Sequence, residues 1–143
     1  MLDIKINLSQ SPPPTYATPG SAGVDLTANL AQPLTLLPGE RALIPTGIAV
    51  QIPTGYAGFL HARSGLATKF GIALANGVGV IDSDYTGEIK AGLINLSKEP
   101  YTITPNERIA QLVFQSIATA NFIIVDELNT TERGDGGFGS TGR

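Results

Sequence analysis

Gly77-Val78-Gly79-Val80-Ile81-Asp82-Ser83-Asp84-Tyr85-Thr86-Gly87-Glu88-Ile89-Lys90-Ala91-Gly92-Leu93-Ile94-Asn95 sets two apolar, β-prone runs on either side of a polar knot. Val78, Val80 and Ile81 lead into the knot, and Ile89, Leu93 and Ile94 lead out of it. Such runs, bounded by Gly, Asp and Ser, predict two strands joined by a hairpin-like loop over residues 82–87. Asp82, Ser83, Asp84 and Tyr85 put two carboxylates, a hydroxyl and an aromatic ring into that loop. A plain turn needs only Gly, Asn or Asp, so paired acids and a ring held between strands point to a site. The plainer alternative has Asp84 and Gly87 making the turn while Tyr85 covers the sheet edge.

Outward from this stretch the pattern is repeated. The chain carries 17 Gly and 10 Pro, and short β-type runs lie between the breaks. Strands are predicted over residues 4–8, 23–28, 34–37, 41–52, 56–62, 71–76, 101–103, 108–114 and 121–125. Pro45 and Gly47 imply an edge position or a bulge in the fourth of these. Residues 11–19 are Pro-rich and read as extended or looped. Residues 64–70 lack the β signature and predict a two-turn helix with Ser64 or Arg63 near its N-cap. Many short strands with turns every eight to twelve residues predict an all-β sandwich or barrel with one short helix.

Composition narrows the chemistry. The 143 residues suggest one domain, 42% hydrophobic and 15% charged, with net charge −3. Broad nucleic-acid and membrane surfaces are therefore not expected. There is no Cys and a single His, His61, which excludes thiolate chemistry, disulfides and multi-His metal sites. A metal would need oxygen ligands, which favours Mg²⁺ or a similar hard cation. The N-terminus lacks a basic segment followed by a long apolar one, and no run is long enough to cross a bilayer. A soluble, cytoplasmic protein is expected.

Several residues fit no purely structural pattern. Arg63-Ser64-Gly65 falls where a strand passes into the predicted helix. Free N–H donors, a dipole end and a guanidinium fork there suit phosphate, although an ordinary N-cap with a solvated Arg explains the same residues. Gln111 in an apolar run needs a partner, either backbone or a ligand, and is expected to face with Ile109 and Val113. Asp25 in a short strand calls for a cation or a turn to cap. Arg108, beside Glu107, reads as a structural ion pair, and His61 as structural. Residues 126–143 are poor in apolar groups and read as a flexible arm. Yet Arg133 and Phe138 stand among its glycines, which suggests a segment that orders on a ligand.

Five stretches, in this order, closely resemble the five motifs of the trimeric deoxyuridine triphosphatases (dUTPases). They are Ala22-Gly23-Val24-Asp25-Leu26-Thr27-Ala28, Arg63-Ser64-Gly65-Leu66-Ala67, the opening stretch, Glu107-Arg108-Ile109-Ala110-Gln111-Leu112-Val113-Phe114, and residues 133–142. The resemblance implies a distorted β-barrel or jelly-roll core over residues 1–125, with an arm over residues 126–143 closing on an active site. It implies a homotrimer that hydrolyses dUTP to dUMP and pyrophosphate with Mg²⁺, limiting uracil in DNA and supplying dUMP for dTMP synthesis. By the same resemblance Asp82 is the general base and Tyr85 packs on the deoxyribose. Asn76 and the adjoining backbone at Gly79 read uracil. Arg63, Ser64, Gly65 and Gln111 meet the phosphates, and Asp25 supports that region. Arg133, Phe138, Gly139, Ser140 and Thr141 are brought by the arm. No protein side chain holds the metal directly. Departures from the family pattern are Ala62, Thr86, Asn106 and Asp135. The related dCTP deaminases and a non-enzymatic structural trimer are the alternatives.

Overall fold

Ile89, Ala91, Leu93 and Asn95 are buried and alternate with more exposed neighbours, the period-2 pattern of a strand with one face in the core. This strand belongs to a computed structural model that describes residues 1–137. In chain order the strands are β1 (Lys5–Leu8), β2 (Val24–Thr27), β3 (Leu34–Leu36), β4 (Arg41–Gln51), β5 (Tyr56–Ala62), β6 (Ile72–Leu74), β7 (Gly79–Ile81), β8 (Glu88–Asn95), β9 (Tyr101–Ile103) and β10 (Arg108–Ser116), with one helix, α1 (Ser64–Phe70). One sheet has the order β1-β4-β8-β6, a second the order β2-β10-β5-β7, and β3 pairs with β9. Leu26, Leu60 and Leu112 from the second sheet share a single core with Ile44, Ile48, Ile72, Ile89 and Leu93 from the first. The result is all-β and jelly-roll-like, with α1 as the only helix among the described residues. Among the described residues no helix is long and apolar enough to cross a membrane.

The opening stretch is not a hairpin. β7 pairs antiparallel with β5, whereas β8 pairs with β4 and β6. A strand has two hydrogen-bonding edges, and both edges of β8 are taken. Residues 82–87 therefore carry the chain from one sheet to the other. Residues 71–76 are also less of a strand than expected. β6 is short, and Asn76-Gly77 forms a turn in which Gly77 has φ 75° and its N–H donates to the Leu74 carbonyl (3.1 Å).

Residues 121–125 form no strand. Phe122, Ile123, Ile124 and Val125 are exposed, Ile124 almost fully. β-propensity expresses itself only against a free edge, and this segment has no ladder partner among the described residues. In β4 the expected irregularity is present. Pro45 faces Lys90 and Ala49 faces Glu88, so β4 carries two more residues than β8 over that interval. The bulge is tied by side chains: Thr46 Oγ1 donates to the Ile89 carbonyl (2.6 Å), and the Gly47 N–H donates to Glu88 Oε1 (2.8 Å).

Asn95 is fully buried and fully partnered. Its Nδ2 donates to the carbonyls of Leu36 (2.9 Å) and Glu99 (2.8 Å), and its Oδ1 accepts from Ser97 N and Oγ. All of its amide capacity is used, which ties β8 to β3. Near the same end Tyr101 packs on Phe70, with ring centroids 5.3 Å apart, and donates its hydroxyl to Glu107. Burial, then the Glu107 carboxylate, push the Tyr101 phenol up to about 12. A raised folded-state value means that the folded protein holds this proton more tightly than the unfolded chain. The contribution is complete below about pH 10 and is lost as pH climbs from about 10 to 12. Melting curves in that window are expected to fall more steeply for the parent than for Tyr101→Phe; parallel slopes would remove Tyr101 as their cause.

Candidate active site

Two groups of polar residues stand out, and each is assembled by pairing across a sheet. In the first, β2, β10 and β5 bring Asp25, Gln111 and His61 into one row, since Gln111 faces both Asp25 and His61. Asp25 lies between two guanidinium groups, with Arg63 Nε on Oδ1 (2.8 Å) and Arg108 Nη1 on Oδ2 (3.1 Å). The cation that an aspartate in this strand requires is thus present twice. The Arg108 ion pair is with Asp25, because Glu107 is committed to Tyr101 and Thr104. Arg63 Nη1 also donates to the Arg108 carbonyl (3.3 Å). These bonds fix the plane of Arg63 while leaving several of its five donors unengaged.

Arg63 is the N-cap of α1 in extended conformation, φ −84° and ψ 128°, and no side chain caps the helix start. Ser64 and Gly65 follow, both exposed. The first-turn N–H groups thus open beside the guanidinium of Arg63. Gln111 is half-buried, and its Nε2 donates to the Ala62 carbonyl (3.0 Å), the backbone option of the two left open by sequence. Its facing matches expectation toward Val113, since a Cβ on Gly23 would lie 3.1 Å from Val113 Cγ2 and 3.3 Å from Gln111 Oε1, but not toward Ile109. Ile109 and Ala110 are both buried, because the ladder with β2 shifts between Arg108 and Ala110. Ile109 therefore turns into the core instead of sharing the Gln111 face. His61 ends up opposite Gln111.

The second group lines the crossing between the sheets. Asp82 and Tyr85, with Leu43, Val80, Ile81, Glu88, Ile89 and Lys90, border a cleft of about 440 Å³. Asp82 is exposed at its mouth. Tyr85 is held down: its hydroxyl donates to the Glu88 carbonyl (2.8 Å), and its ring lies against Gly87. A Cβ on Gly87 would sit 2.7 Å from the Tyr85 hydroxyl and 2.8 Å from Cζ. Gly79, opposite Leu60, and Asn76, in the preceding turn, flank the other end of β7. A Cβ on Gly79 would meet Leu60 at 3.1 Å, so the strands approach closely there.

The two groups do not meet within the chain. β7 runs antiparallel to β5 with Ile81 opposite Gly58, so the path from Gly79 to Asp82 leads away from Arg63. Gly58 and Arg63 are five residues apart, which at about 3.3 Å per residue is roughly 16 Å. Arg133 is in neither group. It is exposed, and its Nε donates to the Gly136 carbonyl (2.8 Å). Phe138, Gly139, Ser140 and Thr141 lie outside the described residues.

Sequence reading missed Leu43, Glu88 and Lys90 at the cleft. Its available signal was modest: Glu88 and Lys90 occupy the outward phase of β8, next to the loop already singled out. Among the described residues no three His, Asp or Glu side chains gather to hold a metal ion.

The dUTPase family model matches residues 9–142. The chain belongs to the dUTPase family. Curated members of the family include the deoxyuridine 5'-triphosphate nucleotidohydrolase of Desulfitobacterium hafniense. That protein is 56% identical over 130 residues, which cover 90% of this chain and 86% of the relative. The protein of that name from Aeromonas hydrophila is 51% identical over 144 residues, covering 100% and 94%. Among solved structures, a mutant dUTPase of Staphylococcus bacteriophage 80alpha with dUpNHpp superposes with a TM-score of 0.89 at 30% identity, covering 99% of each chain. Of the stretches that resemble the dUTPase motifs, the first, second and fourth meet at the Asp25–Arg63 and Asp25–Arg108 pairs and the third borders the cleft.

Proposed function

We propose that this chain is a dUTP diphosphatase that releases dUMP and pyrophosphate, with Asp82 as general base. The observation that carries the reading is the exposed Asp82 carboxylate at the mouth of a cleft beside a hydrogen-bonded Tyr85, in a chain of the dUTPase family. A water oxygen attacks the α-phosphorus and its proton passes to Asp82. The bond from the α-phosphorus to the bridging oxygen breaks, and pyrophosphate departs with that electron pair. Tyr85 packs on the deoxyribose, where a 2′-hydroxyl would collide with a ring that cannot withdraw. Asn76 and the backbone at Gly79 read uracil.

Arg63, Ser64, Gly65 and Gln111 are the phosphate side, with Asp25 orienting Arg63. Because they lie roughly 16 Å along the strands from the Asp82 end, a complete site takes the two groups from different copies, and a homotrimer satisfies this. The core over residues 1–125 carries both groups, and the arm over residues 126–143 closes the site, bringing Arg133, Phe138, Gly139 and Ser140 to the nucleotide. The reaction belongs in the cytoplasm.

The donor set fits Mg²⁺ carried in by the substrate. No cage of carboxylates exists among the described residues, and both Asp25 oxygens are taken by arginines. Mg²⁺ commonly keeps waters and binds through substrate phosphates. When bound it would neutralise phosphate charge that a protein of net charge −3 cannot offset alone.

Incubation of the purified protein with dUTP, UTP or dTTP and Mg²⁺, with pyrophosphate as readout, tests the function. Release from dUTP alone is expected; no release from dUTP would overturn the reading. Two further outcomes follow from the shared site. Removing residues 134–143 should abolish most turnover while sedimentation still shows the parent assembly. Mixing Asp82→Asn with Arg63→Ala, each nearly inactive, and reassembling them should restore part of the activity, because some sites then receive one intact group from each copy. Mixtures as inactive as their components would place both groups in one chain.

A further inference from the structure

The loop that carries Asp82 and Tyr85 has little to hold it in place. Between residues 82 and 87 its one backbone hydrogen bond runs from Tyr85 N to the Asp82 carbonyl, at 3.2 Å. Its geometry is therefore set by its ends. At the far end sits Glu88, the first residue of β8, paired with Ala49 just past the β4 bulge. Its carbonyl receives the Tyr85 hydroxyl (2.8 Å), and its carboxylate receives the Gly47 N–H (2.8 Å). Gly47 is itself immovable. Its φ is 68°, its carbonyl accepts from Ser9 N (2.7 Å), and Ser11 Oγ and the Ser9 carbonyl occupy the space that a Cβ would need.

We propose that Glu88 is a positioning residue for sugar selection, joining the Tyr85 ring to the β4 bulge. The inference rests on the dUTPase reading of Tyr85. The bulge deprives Gly47 of a ladder acceptor, and a buried N–H needs one. The Glu88 carboxylate fills that need and thereby fixes its own backbone, and with it the carbonyl on which the phenol hangs. Gly87 completes the device, since only a residue without Cβ lets the ring lie flat across the turn. Tyr85 then discriminates because its ring is fixed; a ring free to move by about 1 Å would admit the 2′-hydroxyl, a displacement of the size that costs up to 10²-fold in other sites.

The test compares kcat/KM for dUTP with kcat/KM for UTP. Glu88→Ala and Tyr85→Phe are each expected to lower the dUTP:UTP ratio about tenfold. The double variant should lose little more than either alone, because both cut the same link. Glu88→Gln, whose amide oxygen can still accept from Gly47, should recover most of the ratio lost in Glu88→Ala. A merely structural Glu88 would instead lower both nucleotides by one factor, or give losses that multiply in the double variant, and either result overturns the proposal. Should Glu88→Ala fail to fold by circular dichroism, Glu88→Asp, shorter by one methylene, carries the same expectation. A parent chain that hydrolyses dUTP and keeps its ratio in every Glu88 variant refutes Glu88 alone; a parent that treats UTP like dUTP refutes the Tyr85 gate and Glu88 with it.

Discussion

Asp82→Asn is expected to lower turnover of dUTP by roughly 10²–10⁴-fold, the usual worth of a positioned general base, while nucleotide binding is kept. The amide has the shape of the carboxylate and cannot accept the proton of the attacking water. Binding should not weaken and could tighten, since Asp82 and Asp84 both face a polyanion from a loop without a basic residue. Asp84→Asn provides the contrast. It makes the same charge change two residues away, in the same exposed loop, and should alter turnover by no more than a few-fold. Steady-state rates and the affinity for an imido analogue of dUTP separate the effects. If Asp82→Asn keeps turnover within tenfold of the parent, or if Asp84→Asn loses as much, Asp82 is not the base and the loop acts through charge alone.

The parts of this molecule that were legible in sequence are those decided within one strand. The apolar run through Ile89, Leu93 and Ile94 marked β8 as a strand, and the breaks around residues 64–70 marked the helix, whose end is fixed by Gly71 at φ 69°. Pro45 and Gly47 announced an edge or a bulge, and Asn106, a departure from the family pattern, adopts φ 63° as a left-handed turn allows. What sequence concealed is pairing. Adjacency suggested that β7 and β8 would form a hairpin, but β8 had both edges filled by β4 and β6, and β7 joined β5. Residues 121–125 have strand chemistry and no edge to express it on. The site shows the same division. Asp25 was singled out as needing a cation, yet Arg63 and Arg108 lie 38 and 83 residues away, so the cluster exists only once β2, β10 and β5 align. Glu88 escaped notice because its importance depends on a bulge in a strand 41 residues earlier.

That bulge is also where one added methyl group should do most damage. Gly47→Ala is expected to destabilise the protein by about 2–5 kcal/mol, combining roughly 1–2 kcal/mol for a left-handed non-glycine residue with about 1–3 kcal/mol for overpacking. A Cβ there would lie 2.2 Å from Ser11 Oγ, 2.5 Å from the Ser9 carbonyl and 2.8 Å from Asn29 Nδ2. The hydroxyl could rotate, but its bond to the Thr46 carbonyl (2.6 Å) would break. The Ser9 carbonyl cannot retreat easily, because Ser9 N is bonded to Gly47 O and Asn29 Nδ2 to Ser9 O. Gly39 and Gly55 separate the two costs. Both have positive φ, at 80° and 87°, and at neither would an added Cβ meet another atom within 4 Å, so Gly39→Ala and Gly55→Ala should show the backbone cost alone. Urea midpoints taken at one protein concentration, since assembly shifts apparent stability, are expected to fall at least twice as far for Gly47→Ala as for either control. Equal losses at all three sites would mean that the N-terminal segment yields to the new methyl, and that the bulge is not the rigid anchor that its hydrogen bonds describe.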